Sequence, residues 1–419
     1  MPPSRLPASG PHPNGHTASR RGKTAPQRRV AYGLLCLLLR PYLRLAYGFT
    51  RPKNLPPLPE GPVLMLGNHS SNLDFLYAVC ALWPKRFNIV VSSYFFNNAR
   101  LAGLFRFFRC IRRDQFRADV ASIMDMRRVV ARGGSVLLYP EGEVNGTGRG
   151  EPPAQSVAKL AKLLRVPVYA VRTYGGFFTR PKWNPAIRKG RVEAEAGLVA
   201  TAEEVASLRE EELYARICGA VCVNEYAWQE NARVPFPHPA PAEGMENLLY
   251  RCPRCGEELC MRAKGAELYC EACGNRGVVD SFGFLSPATP DCVIPRHVPD
   301  WVDLEREALR REIAAPDFCL RAEASLQLHL NPRSVLHTDV GKGTVTLDRE
   351  ALRYEGSCQG KQTVLTYPVD SIFKLPFSMG RQFDIPNPER FVSIKPDNGQ
   401  AVQKFVLALP LLHERGENM

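Results

Sequence analysis

At 419 residues the chain has room for two to four domains of roughly 100–200 residues each. Its 45% hydrophobic and 23% charged content excludes a wholly disordered or fibrous protein. No run reaches the ~18 uninterrupted apolar residues of a spanning helix, which excludes a polytopic membrane protein. The thirteen cysteines, an odd number, argue against a fully paired secreted framework. The net charge of +13 calls for an anionic partner, and at this level nucleic acid and an anionic membrane fit equally well.

Residues 1–29 are rich in Pro, Ser and Gly and carry basic side chains with no acidic one, so they read as a disordered basic tail. Ten basic residues against the single Glu60 put +9 of the +13 into the first 60 positions. An apolar run from Val30 to Leu39 follows, then Arg40-Pro41, then Tyr42, Leu43, Leu45, Tyr47 and Phe49. Arg40-Pro41 stands where a secretory signal would have small residues, and Arg40, Pro41 and Arg44 disfavour a spanning helix. Residues 30–50 therefore read as a helix in the membrane interface. Leucines and aromatics dip in, and arginines meet lipid phosphates at ~1 kcal/mol each. The alternative is a core helix with a basic tail.

Pro62–Gly67 reads as a short buried strand that delivers Asn68-His69-Ser70-Ser71-Asn72-Leu73-Asp74. Capping residues and the apolar run Phe75–Leu82 predict a helix beginning within this motif, which leaves His69 on the loop at the strand's carboxyl end. From the helix, Asp74 can reach back to the imidazole. Neutral histidine can take a proton from a hydroxyl, and a carboxylate on its other nitrogen fixes the tautomer and stabilises the imidazolium. The nucleophile in that scheme is a substrate hydroxyl. Ser135–Pro140 reads as a second strand ending in the turn Pro140-Glu141-Gly142, and Arg165–Val171 as a third. Between the first two lies an Arg-rich stretch interleaved with Phe105, Phe107 and Phe108, which suits a phosphate-bearing amphiphile. Thr201-Ala-Glu-Glu204 has capping-box spacing and opens a packing helix carrying Leu208, Leu213, Ile217 and Val221.

Over residues 51–232 the chain resembles the glycerolipid acyltransferase family that includes the 1-acylglycerol-3-phosphate (lysophosphatidic acid) acyltransferases. Asn68–Asp74 matches its His-x4-Asp block, Cys110-Ile111-Arg112-Arg113 its basic block, Tyr139–Gly142 its Phe-Pro-Glu-Gly block and Val166-Pro167-Val168 its last. Gly175-Gly176-Phe177 and Glu225-Tyr226-Ala227-Trp228-Gln229 resemble the segment that closes the domain. The resemblance implies an α/β fold, a mixed sheet with surrounding helices. It also implies transfer of an acyl group from acyl-CoA or acyl carrier protein to a lysophospholipid hydroxyl, at the cytoplasmic face of the membrane. His69 is then the general base and Asp74 its partner, with Asn68 completing the block. Glu141 and Gly142 shape the acceptor site, and Arg113 or Arg112 holds phosphate. Backbone amides at the helix start after His69 are the expected oxyanion donors. The family continues Pro-Glu-Gly with Thr-Arg-Ser where this chain has Glu143-Val144-Asn145, which leaves the acceptor open, with Arg149 as a substitute for the missing arginine.

Pro235, Pro237, Pro239 and Pro241 mark a linker. Beyond it, Cys252-Pro-Arg-Cys255-Gly and Cys270-Glu-Ala-Cys273-Gly form two Cys-x2-Cys pairs separated by fourteen residues. This resembles a zinc ribbon over 245–285, and implies a closed, structural Zn site on the four thiolates, a redox dithiol being the alternative. Residues 325–415 read as β-rich, from the alternation in Gly343–Leu347, Leu352–Tyr354, Phe391–Ile394 and Phe405–Leu407, and weakly resemble a pleckstrin-homology barrel. No basic-aromatic face stands out in the ribbon, so no nucleic acid is expected. The competing reading of the whole chain is a non-catalytic membrane adaptor that binds protein or nucleic acid through the ribbon and tail.

Overall fold

The computed structural model describes residues 24–52, 55–114, 119–184, 186–328, 338–385 and 392–417. The disordered tail expected at 1–29 lies outside the described residues up to position 23. From Thr24 onward the chain docks on the core instead: Asn88 Nδ2 donates to Ala25 O at 2.9 Å, and the Gln27 side chain donates to Phe108 O. The described residues form two compact units, one up to position 238 and the other from 239 onward.

The first unit contains α1 (Arg29–Tyr47), β1 (Leu64–Gly67), α2 (Asp74–Leu82), β2 (Phe87–Ser92), α3 (Ala99–Phe107), β3 (Ile111–Arg113), α4 (Val120–Ala131) and β4 (Ser135–Leu138). It continues with α5 (Ser156–Leu164), β5 (Val168–Tyr174), α6 (Gly176–Thr179), β6 (Glu193–Ala200), α7 (Ala202–Ser207), α8 (Glu210–Val221) and α9 (Glu225–Ala232). Six strands form one sheet in the order β3-β2-β4-β1-β5-β6, all parallel except the last, antiparallel β6. This is the mixed sheet the resemblance implied. β1 and β4 are apolar runs buried at every position, as strands covered on both faces must be. Leu64, Leu66, Val136 and Leu138 point to a core shared with α4, α5 and α8. The alternate residues Met65 and Leu137 point to a core shared with α1 and α2.

The parallel pairing of β1 to β5 brings their carboxyl termini together at one end of the sheet, where α/β sheets place ligands. The single helix expected after Thr201 is two. Thr201 and Glu204 form the predicted capping box, and the helix restarts at Glu210, where Glu212 Oε2 accepts Arg209 N–H at 3.1 Å.

Helix α1 is long and apolar enough to cross a membrane by length and composition, yet Tyr32, Cys36, Leu43 and Tyr47 bury one face of it in the domain. Arg40 does not face outward to lipid phosphates. Its Nη2 donates to Cys80 O at 3.0 Å, and Arg51 Nη2 donates to Trp83 O at 2.7 Å, so both guanidinia satisfy carbonyls at the end of α2.

In the second unit, β7 (Met261–Lys264), β8 (Glu267–Cys270), β9 (Arg276–Val279) and β10 (Leu285–Pro287) form a four-stranded antiparallel sheet, followed by α10 (Val298–Ala314). A seven-stranded antiparallel sheet follows, of β11 (Leu320–Leu328), β12 (Thr338–Leu347), β13 (Ala351–Cys358), β14 (Lys361–Pro368), β15 (Phe377–Ser378), β16 (Gln382–Ile385) and β17 (Val392–Pro396). Phe391 lies outside the described residues. Phe405–Leu407, read as a strand, belongs to helix α11 (Ala401–Glu417). The buried residues Ala401, Val402, Phe405, Ala408, Leu409 and Leu412 recur with the period of a helix, and three residues are too short a window to show it.

Candidate active site and cysteine cluster

His69 leaves β1 on a short loop and Asp74 is the first residue of α2. Across that turn, His69 Nδ1 lies 3.2 Å from Asp74 Oδ2. Asp74 is completely buried, and the His69 side chain is 21% exposed. Ser71 N–H donates to Asp74 Oδ2 at 2.7 Å, and Thr173 Oγ1 from the end of β5 donates to Oδ1 at 3.1 Å. Burial pushes the Asp74 carboxyl above its ordinary value, against the opposing pull of His69, the Ser71 amide and the Thr173 hydroxyl. The carboxyl that holds the Ser71 amide and the Thr173 hydroxyl thus also faces His69 Nδ1, and Nε2 is the ring nitrogen turned away from it.

The His69 backbone is clamped from both sides. Glu141 Oε1 accepts its N–H at 2.7 Å, and its carbonyl accepts Asn145 N–H at 2.7 Å. The Tyr139 ring lies against the imidazole at 4.8 Å between centroids. Glu141 can arrive because Gly142 turns the chain at φ +79°, a conformation glycine adopts without strain. Asn145, where the sequence leaves the family pattern, orders the next turn, its Oδ1 accepting Thr147 N–H at 2.8 Å and Gly148 N–H at 2.9 Å. Asn68 ties β1 to β5: its Nδ2 donates to Thr173 O at 2.9 Å, and its Oδ1 accepts Thr173 N–H at 2.8 Å.

The structure thus brings His69, Asp74, Asn68, Glu141 and Gly142 together. Arg112 and Arg113 stand apart on β3, with β2 and β4 between them and β1. Arg112 is exposed, 3.7 Å from Asp114. Arg113 is partly buried, which lowers its guanidinium from its ordinary value, and Asp119 partly offsets this.

Three of the amides after His69, where the oxyanion donors are expected, bond within the turn itself. The Ser71 amide serves Asp74, Leu73 N–H donates to Ser71 Oγ at 3.2 Å, and Asp74 N–H to Ser71 O at 3.2 Å, so these helix-start amides face inward. Thr173 and Asn145 carry no functional reading in the sequence, and Tyr139 only that of a motif residue. Their roles come from pairings of strand ends, which no local pattern signals.

In the second unit, Cys252, Cys255, Cys270 and Cys273 bring their four sulfurs within 4.8 Å of one another. Cys252 and Cys273 are 3.7 Å apart, and Cys255 and Cys270 are 3.8 Å apart. Gly256 and Gly274 follow the two knuckles at φ +77° and +73°. Cys260 adds a fifth thiol, 3.5 Å from Cys270.

Residues 48–174 match the family model described as Acyltransferase. Among solved structures, the chain is similar to the 1-acyl-sn-glycerophosphate (LPA) acyltransferase PlsC from Thermotoga maritima. The identity is 14% and the TM-score 0.39, over 48% of this chain and 79% of that one. No curated protein matches the chain. The segment that matches the family model, 48–174, carries His69, Asp74 and Glu141.

Proposed function

We propose that the chain transfers a fatty acyl group from acyl-CoA or acyl carrier protein to the hydroxyl of a lysophospholipid, in the first place 1-acylglycerol-3-phosphate, giving phosphatidic acid for phospholipid synthesis. The observation that carries this reading is the His69–Asp74 pair, 3.2 Å apart and backbone-clamped at the strand ends of the segment that matches the family model. The acceptor oxygen attacks the thioester carbonyl while His69 Nε2 takes its proton. The new C–O bond forms, and the tetrahedral intermediate breaks the C–S bond. The departing thiolate then recovers the proton from the imidazolium, which Asp74 stabilises until then. No acyl-enzyme is needed.

Arg113 supports a phosphate-bearing acceptor. β3 lies three strand spacings from β1, about 14 Å at ~4.8 Å each, a gap that a long guanidinium side chain and a glycerol phosphate span together. The outer face of α1 supports a membrane surface as the place of reaction. Val30, Leu34, Leu37, Leu38, Tyr42 and Leu45 are each more than half exposed and recur at helical spacing, while Arg28, Arg29 and Arg44 are exposed beside them.

The cysteine cluster fits a structural zinc ion. Zn–S bonds of about 2.3 Å in a tetrahedron place sulfurs about 3.8 Å apart; Cys252–Cys273 and Cys255–Cys270 stand at 3.7 and 3.8 Å, and all four sulfurs lie within 4.8 Å of one another. Zinc there would fix the fold of the second unit and take no part in acyl transfer. The test of the reading is acyl transfer by the purified chain from a labelled thioester to lysophosphatidic acid, glycerol 3-phosphate and lysophosphatidylcholine. Release of thiol together with labelled phosphatidic acid supports it; a folded protein that acylates none of the three overturns it.

A further inference from the structure

One buried acid in the first unit is left over by the mechanism. Glu225 opens α9, and Asn224 caps that helix by accepting Tyr226 N–H at 3.0 Å. Glu225 is 0% exposed. Its Oε2 accepts Gly175 N–H at 2.7 Å, and its own amide donates to Gly148 O at 2.8 Å. The Gly175-Gly176 turn it grips lies against the catalytic loop. A Cβ on Gly176 would stand 3.2 Å from Ser71 Cβ, 3.3 Å from Asp74 Oδ1 and 3.7 Å from Ser70 Oγ. Ser70 is itself tied to Asn68, whose Nδ2 donates to its hydroxyl at 3.3 Å. Glu225 therefore joins the loop after β4, the turn after β5 and the His69 loop.

We infer that Glu225 is a positioning residue for the His69–Asp74 pair, acting as a neutral carboxylic acid that braces the catalytic loop and leaves Asp74 the single negative charge beneath His69. The inference rests on the reading of that pair given above.

Three observations support it. Asp74 and Glu225 are both completely buried, and among the described residues neither is ion-paired to a lysine or arginine. Two buried carboxylates near enough for the charge of one to raise the other, with no cation between them, are resolved by protonating one. Each carboxyl has three donors, but one of those on Asp74 is the imidazole of His69, which can carry positive charge, whereas those on Glu225 are all neutral, so Glu225 is the one to carry the proton. Its Oε1 accepts no hydrogen bond of good geometry, so a negative charge on that buried oxygen would be poorly stabilised.

The ionisable groups facing it are Asp74 and Tyr77 of α2 and Tyr174 of β5, with His69 beyond Asp74, and Arg149 in a backbone bridge to the neighbouring Asn224. Burial leads in pushing Glu225 up to about 7, and the Asp74 charge adds to it. The Ser70 hydroxyl and the Gly175 and Phe177 amides oppose them. A carboxyl raised in the native state contributes stability that is complete below its unfolded value near 4.5 and is lost as pH rises through about 7.

The test uses the full chain and two variants, Glu225→Gln and Glu225→Ala. Glu225→Gln keeps a neutral group of the same shape. It is expected to hold kcat within about threefold of wild type at pH 6 and to abolish the decline in kcat above pH ~7. It also flattens the fall of melting temperature between pH ~5 and ~8. Glu225→Ala is expected to lose at least about tenfold in kcat at every pH with KM little changed. The inference is overturned if folded Glu225→Gln shows the wild-type pH profile and the wild-type melting slope, or if it loses as much activity as Glu225→Ala. Should wild type itself transfer no acyl group, the acyltransferase reading falls alone. The difference in melting slope between wild type and Glu225→Gln still decides whether Glu225 titrates.

Discussion

The two candidate centres of this molecule are built in opposite ways. The cysteine cluster is nearly self-contained, its four sulfurs drawn from two knuckles no more than 21 positions apart along the chain. The proposed catalytic pair is only five positions apart, but the bonds that hold it come from 72, 99 and 105 positions away: Glu141 on the His69 amide, Thr173 on Asp74, and Asn68 to Thr173. A metal site of that kind forms wherever its loop is closed by an ion. The acid-base site needs the whole sheet, because three strand ends have to arrive in register before His69 has a defined tautomer and position.

Removal of the proposed zinc would separate the two regions most sharply. Chelation, or Cys270→Ser, is expected to remove on the order of 10 kcal/mol of metal-linked folding energy from the second unit. The first unit keeps its cooperative melting transition. Proteolysis mapped by mass spectrometry reads this directly, and cleavage that spreads equally through both units would refute the separation. Asp74→Asn comes next. It removes the acceptor that fixes the imidazole, for an expected loss of about 10³-fold in kcat with little change in KM. A full-rate Asn variant would show that the pair is structural.

Thr173→Val probes the remote half of the site. It leaves one buried Asp74 oxygen without its donor, costs about 1–3 kcal/mol of stability and lowers kcat about tenfold. An unchanged kcat would mean that the strand-end clamp does not matter to catalysis. The smallest effect concerns the surface of α1. Leu37→Glu with Leu38→Glu places charge on the exposed apolar stripe and leaves the buried face alone. Binding to vesicles containing phosphatidylserine should drop by about tenfold or more, while the melting temperature stays within about 2 °C of wild type. Retained vesicle binding would move the membrane contact elsewhere.

The same contrast explains what is legible in the sequence alone. Cysteine spacing and the His69–Asp74 interval are local patterns with a chemical purpose, so both stand out along the chain. The apolar runs at β1 and β4 mark the buried centre of the sheet. Thr173 is not legible as part of the site, because an ordinary threonine at the end of a strand acquires a role only when that strand pairs with β1. Glu225 is visible only as part of a resemblance, and nothing in its neighbours announces that it ends up completely buried near Asp74. The break between α7 and α8 and the helix at Phe405 escape the sequence for a related reason. In both places a short stretch suits two structures, and packing decides between them.

The measurement that bears most directly on the account is the rate of acyl transfer to lysophosphatidic acid by wild type and by His69→Ala, each shown to have the same melting temperature. Removal of the general base is expected to lower kcat by about 10³–10⁴-fold. Equal rates in the two proteins would contradict it, and would place the chemistry away from His69.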